Sequence, residues 1–182
     1  RSMVRFGKWS TSFAFKLRLP IKGIIKKTIF RQFCGGESIS ESISASDKLA
    51  KRNVKTILDY SIEGKTSDED FDATVAEIIA TITAAKNNPD IPYAVFKTTG
   101  ICLFSILENA NESIDKLSND EKLKYEQMVQ RVDSICKAAF ESSVPLFIDA
   151  EETWIQETID RVVTEMTLKY NREKAIIFNT IQ

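Results

Sequence analysis

The sequence predicts an α/β fold in which helices cover a parallel sheet, and three observations lead there. Short apolar runs recur along the chain behind turn residues, and the first three each feed a segment of helical period. The strand runs are apolar throughout, as expected of strands buried by crossover helices. At 182 residues, 43% hydrophobic and with a formal net charge of −1, the chain is large enough for a sizeable core. It reads as one domain or part of one.

The first strand is Val54-Lys55-Thr56-Ile57-Leu58-Asp59-Tyr60. Asp68-Glu69-Asp70 then places acids in the first turn of a helix, where they favour an N-terminus. Phe71, Val75, Ile78, Ile79 and Ile82 recur at helical spacing, and Asn87-Asn88-Pro89 stops them. Pro92 to Lys97 is the second strand, with Thr98-Thr99-Gly100 turning out of it into a short helix from Ile101 to Asn109. Ser118-Asn119-Asp120-Glu121 opens a longer helix whose Tyr125, Met128, Val129, Val132, Ile135, Cys136, Ala139 and Phe140 form a broad apolar face. The third strand runs from Val144 to Asp149, and its helix carries Ile155, Ile159, Val162, Val163 and Met166. Lys174 to Gln182 is a fourth strand.

Ahead of these units lies a segment of opposite charge. Nine Lys or Arg and no acid fall between Arg1 and Gly36, so all 26 acids and the other 16 bases follow it. Phe6, Trp9, Phe13, Phe15 and Ile24 are interleaved with those bases. Such an arm fits an anionic membrane surface or a transit peptide, or it packs its aromatics on the body and exposes its bases. Pro20 interrupts any single long helix there. Gly35-Gly36 and the Ser-rich stretch from Ser38 to Ser46 read as a linker or exposed loop. The expected division is a basic amphipathic arm over 1–36, a linker and short helix over 37–52, and the βα units over 53–182.

Composition excludes several chemistries. Histidine is absent, which removes His bases, Ser-His and Cys-His pairs and the commonest metal ligand. Cys34, Cys102 and Cys136 are odd in number and far apart, which argues against a disulfide framework or a zinc site and suits a reducing compartment. No metal is expected. No P-loop or GxGxxG fingerprint is present, nor an apolar stretch long enough to cross a bilayer, and no nucleic-acid partner is expected.

What remains is carboxylate and lysine chemistry at strand ends. Asp59, Lys97, Asp149 and Gln182 fall at or just beyond the C-terminal ends of successive strands, and in a barrel they would surround one mouth. Periodicity leaves open whether the sheet is open or closed into a barrel. A lysine at a strand end either meets a carboxylate or anionic ligand, or extends to solvent. Asp149 has two readings as well: an active-site acid, or a helix cap with Glu152 reaching back.

Four motifs together resemble the flavin-dependent proline dehydrogenases. They are Ile57-Leu58-Asp59-Tyr60-Ser61-Ile62-Glu63-Gly64, Phe96-Lys97, Leu146-Phe147-Ile148-Asp149-Ala150-Glu151-Glu152-Thr153 and Phe178-Asn179-Thr180-Ile181-Gln182, in the family's order from about Phe30 onward. The resemblance implies a (βα)8 barrel of the TIM type that holds FAD at its C-terminal mouth and oxidises L-proline to Δ1-pyrroline-5-carboxylate in proline catabolism. It also implies that Lys97 contacts the proline carboxylate and that Asp149 lies beside flavin and lysine, both as catalytic residues. An amide near the fourth strand's end would contact the flavin, with Gln182 and Asn179 as the candidates. No catalytic role is implied for Asp59.

A full barrel needs about 250 residues. The expectation is therefore the N-terminal arm and first half of such a barrel, inactive by itself. A quinone or other acceptor would take the electrons. The location implied is cytoplasmic, with peripheral contact to an inner membrane, or mitochondrial in a eukaryote. Two other classes stand beside this one: a barrel lyase using Lys97 as a Schiff-base amine, and a non-catalytic half-barrel that associates through its exposed edge.

Overall fold

The computed structural model describes Gly23, residues 26–60 and residues 64–181. Most of the basic arm, with its expected membrane or transit role, lies outside the described residues, and so does Gln182. The chain divides into two compact units, Arg1–Ala45 and Ser46–Gln182.

In the first unit a π-helical turn, Lys26–Phe30, continues into one α-helical turn, Arg31–Phe33. Helix α1, Ile39–Ala50, begins in this unit and ends in the second. It lies within 37–52, where a linker and short helix are expected, and takes up the Ser38 to Ser46 stretch that reads as a linker or exposed loop. The serines start the helix instead of preventing it. Ser38 Oγ accepts from the Glu41 amide at 3.3 Å, and the Glu41 carboxylate accepts from the Glu37 amide at 2.9 Å. The first bond satisfies a free amide of the first turn, and the second ties the chain ahead of the helix to it. Gly36 has no room for a side chain, because a Cβ there would collide with Glu41. Asn53, in the left-handed region at φ 59°, ends the helix.

The second unit is a four-stranded parallel sheet in the order β1-β2-β3-β4, comprising Ile57–Asp59, Tyr93–Phe96, Leu146–Ile148 and Ile177–Asn179. Helix α2 (Asp68–Ala85) joins β1 to β2. Helices α3 (Phe104–Glu112) and α4 (Asn119–Ser142) join β2 to β3, and α5 (Thr153–Tyr170) joins β3 to β4. All expected strands and helices of this region form, with altered limits. The strands are shorter because their flanks close neighbouring turns. The Val54 amide donates to Leu49 O at the end of α1, and the Val144 amide donates to Ala139 O at the end of α4. Helix α3 starts at Phe104, later than expected, because the Thr98–Gly100 turn uses the amides of Gly100 and Ile101.

Burial resolves the question that periodicity left open. Side chains of alternating positions, Leu58, Ala94, Phe96, Leu146, Ile148 and Ile177, are buried against the helices. Their neighbours Tyr93, Val95, Phe147 and Phe178 are half-buried, and Ile57 is 47% exposed. A doubly wound sheet covers both faces with helices, whereas a barrel covers only the outer one. The sequential strand order and one-sided cover are those of half a barrel wall.

Helix ends are set by their own residues. Ser67 caps α2 by accepting from the Asp70 amide at 3.2 Å. Ser118 and Glu121 form a reciprocal capping box on α4. Arg131 of α4 then ties this layer together. Its guanidinium bonds to Asp68 and Asp72 of α2, each at 2.8 Å, donates to Ile101 O, and lies 5.4 Å from the Phe71 ring centre.

Replacing Ser118 with Ala removes one side of the capping box. Unfolding stability should fall by about 1 kcal/mol, read as a lower urea midpoint at unchanged slope. An unchanged midpoint would show that Glu121 sustains the helix start by itself.

Candidate active site

Strand alternation places Asp59, Lys97, Asp149 and Thr180 on the inner, helix-free face, at or just past the strand ends. The ladder continues beyond the strands: the Asp149 amide donates to Phe96 O at 3.0 Å and the Thr180 amide to Ile148 O at 3.3 Å. Those two bonds set the backbones of three adjacent strand ends at one level. On the same face, Phe147 stacks on Tyr93 with centroids 5.0 Å apart and tilts against Phe178 at 5.5 Å. The result is an aromatic floor with polar residues at its end.

Lys97 meets a carboxylate. Its Nζ lies 3.1 Å from Asp149 Oδ2, and the two side chains are 35% and 33% exposed. The hydrogen bond that Lys97 donates to Asp149 raises the lysine pKa above 10.5, opposed by desolvation and helped by the charges of Asp149, Glu151 and Asp59. Lys97 therefore remains an ammonium at neutral pH. Asp59 is itself raised, chiefly by desolvation, with Lys97 opposing and Asp149 reinforcing the shift.

Asp149 does not cap a helix. The N-cap of α5 is Glu152, whose side chain makes no capping bond. The Glu151 amide, just ahead of that N-cap, donates to Gln156 Oε1 at 2.8 Å. Asp149 gives Oδ2 to Lys97 and accepts from the Thr180 hydroxyl on Oδ1 at 2.9 Å. Asp149 is thus engaged between the ends of β2 and β4 and takes no part in the start of α5.

Asn179 is not brought to this cluster. It falls on the opposite alternation, and its amide donates to Asp160 Oδ1 on α5 at 2.7 Å. Gln182 lies outside the described residues, so among the candidates only Lys97 and Asp149 are seen together.

Two supporting residues were not singled out by the sequence. Glu151 is 9% exposed and accepts from both the backbone amide and the hydroxyl of Thr99, tying the loop after β3 to the turn after β2. Desolvation raises its pKa, opposed by the Thr99 bonds and by Lys97. Thr180 bridges β4 to Asp149. Its period-two offset from Phe178 was the available signal, whereas nothing local marks Glu151 as a partner for a residue on another strand.

The remaining groups offer little chemistry. Burial pushes the Cys102 thiol up to about 12 and the Cys136 thiol up as well, which leaves both un-ionised at neutral pH. Among the described residues no cluster of His, Cys, Asp or Glu is placed to hold a metal, and no helix is long and apolar enough to cross a membrane.

The sequence model of the family described as Proline dehydrogenase matches residues 42–182. Proline dehydrogenase 1, mitochondrial, of Dictyostelium discoideum is 30% identical, over 91% of this chain and 35% of its own length. Proline dehydrogenase 1, mitochondrial, of Arabidopsis thaliana is 27% identical, over 99% of this chain and 45% of its own. The chain thus spans about a third to a half of these relatives. A crystal structure of proline utilization A from Bdellovibrio bacteriovorus superposes with a TM-score of 0.67 at 18% identity, covering 88% of this chain and 18% of that one. That likeness shows the fold, a barrel of βα units of which the described residues form part.

The buried Glu151 carboxylate generates a stability prediction. Its raised pKa means that the fold favours the neutral form, so this contribution is complete below the ordinary value of 4.5 and is lost as pH rises through the folded value. Glu151→Gln keeps a partner for each Thr99 group and lacks the charge, so its melting temperature should gain on wild type as pH rises from 4 to 7. Glu151→Ala should cost about 1–3 kcal/mol, because it strands the Thr99 donors. A Gln variant whose melting temperature falls relative to wild type over that pH range would refute the assignment.

Proposed function

This chain belongs to the proline dehydrogenase family, and from that membership we propose that its strand-end site serves the oxidation of L-proline to Δ1-pyrroline-5-carboxylate with FAD as cofactor. The observation that carries the reading is the Lys97–Asp149 pair at the ends of β2 and β3, on the inner face of the wall. Lys97 retains ammonium donors beyond the one directed at Asp149 and is suited to bind a substrate carboxylate. Asp149 holds that ammonium in place and balances its charge, so the substrate is oriented without a large net charge in the site.

The residues present fit a flavin. A flat, apolar ring system with a polar edge needs an apolar platform and a few polar groups around it. Tyr93, Phe147 and Phe178 are a half-buried aromatic platform, and Lys97, Asp149 and Thr180 lie past its end. FAD supplies the acceptor for the hydride that leaves the carbon next to the proline nitrogen. Asp149 and Lys97 would hold it from this half of the wall. Of the two candidate amides we favour Gln182, which stands two residues after Thr180 in the sequence, over Asn179, whose amide is engaged by Asp160.

The Schiff-base alternative is disfavoured by charge. A lysine nucleophile needs a lowered pKa, and Lys97 is shifted the other way. β1 and β4 are the edges of the described sheet, and further strands of the same barrel or a second copy would pair with them. A quinone or related acceptor would reoxidise the flavin. Relatives named as mitochondrial support a mitochondrial location in a eukaryotic source, and the basic arm would then offer contact with an anionic membrane.

In full-length, FAD-loaded protein, Lys97→Ala and Asp149→Ala should each lower kcat/KM for proline about 10- to 100-fold while leaving the melting temperature near wild type, since each removes a charge-assisted bond worth about 1.5–3 kcal/mol. Lys97→Ala should act mainly through KM. Dye reduction with proline as donor reads both. Wild-type turnover by either variant, or borohydride trapping of a carbonyl substrate on Lys97, would overturn the proposal.

A further inference from the structure

Thr180 has a single hydroxyl proton, and its surroundings dictate where that proton points. The Ala150 amide donates to Thr180 Oγ1 at 2.6 Å, and an amide N–H can only donate, so the hydroxyl accepts there. Its own proton is left for Asp149 Oδ1, 2.9 Å away. Lys97 holds the other oxygen, Oδ2, at 3.1 Å. The carboxylate is thus held from both flanking strands, by an ammonium on the β2 side and by a hydroxyl on the β4 side.

That second grip matters because aspartate χ2 is a soft, roughly two-fold torsion. Lys97 also has competitors for its charge, since Asp59 on β1 and Glu151 after β3 both act on it. A free Asp149 would exchange its oxygens and let the ammonium drift towards those carboxylates. We propose that Thr180 is a positioning residue for the reaction: oriented by the Ala150 amide, its hydroxyl locks Asp149 so that Oδ2 stays on Lys97. The inference rests on the proline-oxidising reading, and it concerns a group that itself need touch neither substrate nor flavin.

The test uses full-length, FAD-loaded enzyme carrying Thr180→Val, which keeps the shape and loses the hydroxyl, and Thr180→Ser, which keeps the hydroxyl. Valine should lower kcat/KM for proline by about tenfold, equivalent to one weakened hydrogen bond at about 1.4 kcal/mol, and serine should restore it. In an Asp149→Ala background, Thr180→Val should add no further loss, because its effect passes through that carboxylate. Independently of turnover, NMR of labelled lysine should show the Lys97 titration moving down towards 10.5 in the valine variant and not in the serine variant. Thr180→Ala provides the same comparison should valine not fold. An unchanged Lys97 titration, or an equal loss in the Asp149→Ala background, would overturn the role of Thr180. A wild-type enzyme inert towards proline would instead sink the functional reading, and the Lys97 titration would then decide the positioning role by itself.

Discussion

One-sided burial of a parallel sheet is the constraint on which the rest of this structure depends. Every strand must turn one alternation of its side chains into the helices, which sends the other alternation to the bare face. Leu58, Phe96, Ile148 and Ile177 fill the helical side. Ile57, Val95, Phe147 and Phe178 consequently face the other way, and continuing that phase past the strand ends brings Lys97, Asp149 and Thr180 together. A one-residue slip in β3 would bury Asp149 in the core and lift Ile148 to the mouth. The core thus protects the site's register without touching its chemistry.

Charge at the mouth is unevenly shared. Lys97 faces Asp149, Asp59 and Glu151, and the two carboxylates that do not contact it directly both have raised pKa values. The pair itself is about one-third exposed, so water screens it and its Coulomb energy adds little to stability. Its importance is geometric. Glu151 contributes differently, since its buried carboxylate bonds to Thr99 and joins two loops that would otherwise be independent.

Much of the second unit was legible because its signals are local. The start at Ser118, the acid-rich first turn at Asp68 and the apolar periods named the helices, and apolar runs named each strand. The limits were less legible, since Val54 and Val144 close helix ends instead of extending strands, a choice that depends on partners outside the run. A short helix within 37–52 was legible, but its extent across the Ser-rich stretch was not: serine favours loops in general but favours a helix start when a glutamate stands three residues on, as Glu41 does after Ser38. At the site, strand-end position named Lys97 and Asp149. Asn179 was drawn in by motif likeness although its alternation sends it to Asp160. Glu151 could not be read from its neighbourhood, because its partner Thr99 lies on another βα unit.

The sequential strand order also bears on how the chain acquires this structure. Each new strand pairs with the one made just before it, so a chain emerging from the ribosome can lay down the wall in order without waiting for a distant partner. Contacts made this way keep loop-closure costs moderate for a parallel sheet. The cost falls on the leading strand. Until the next strand pairs with it, its outer edge carries unpaired amides and carbonyls, a template open to association with another chain.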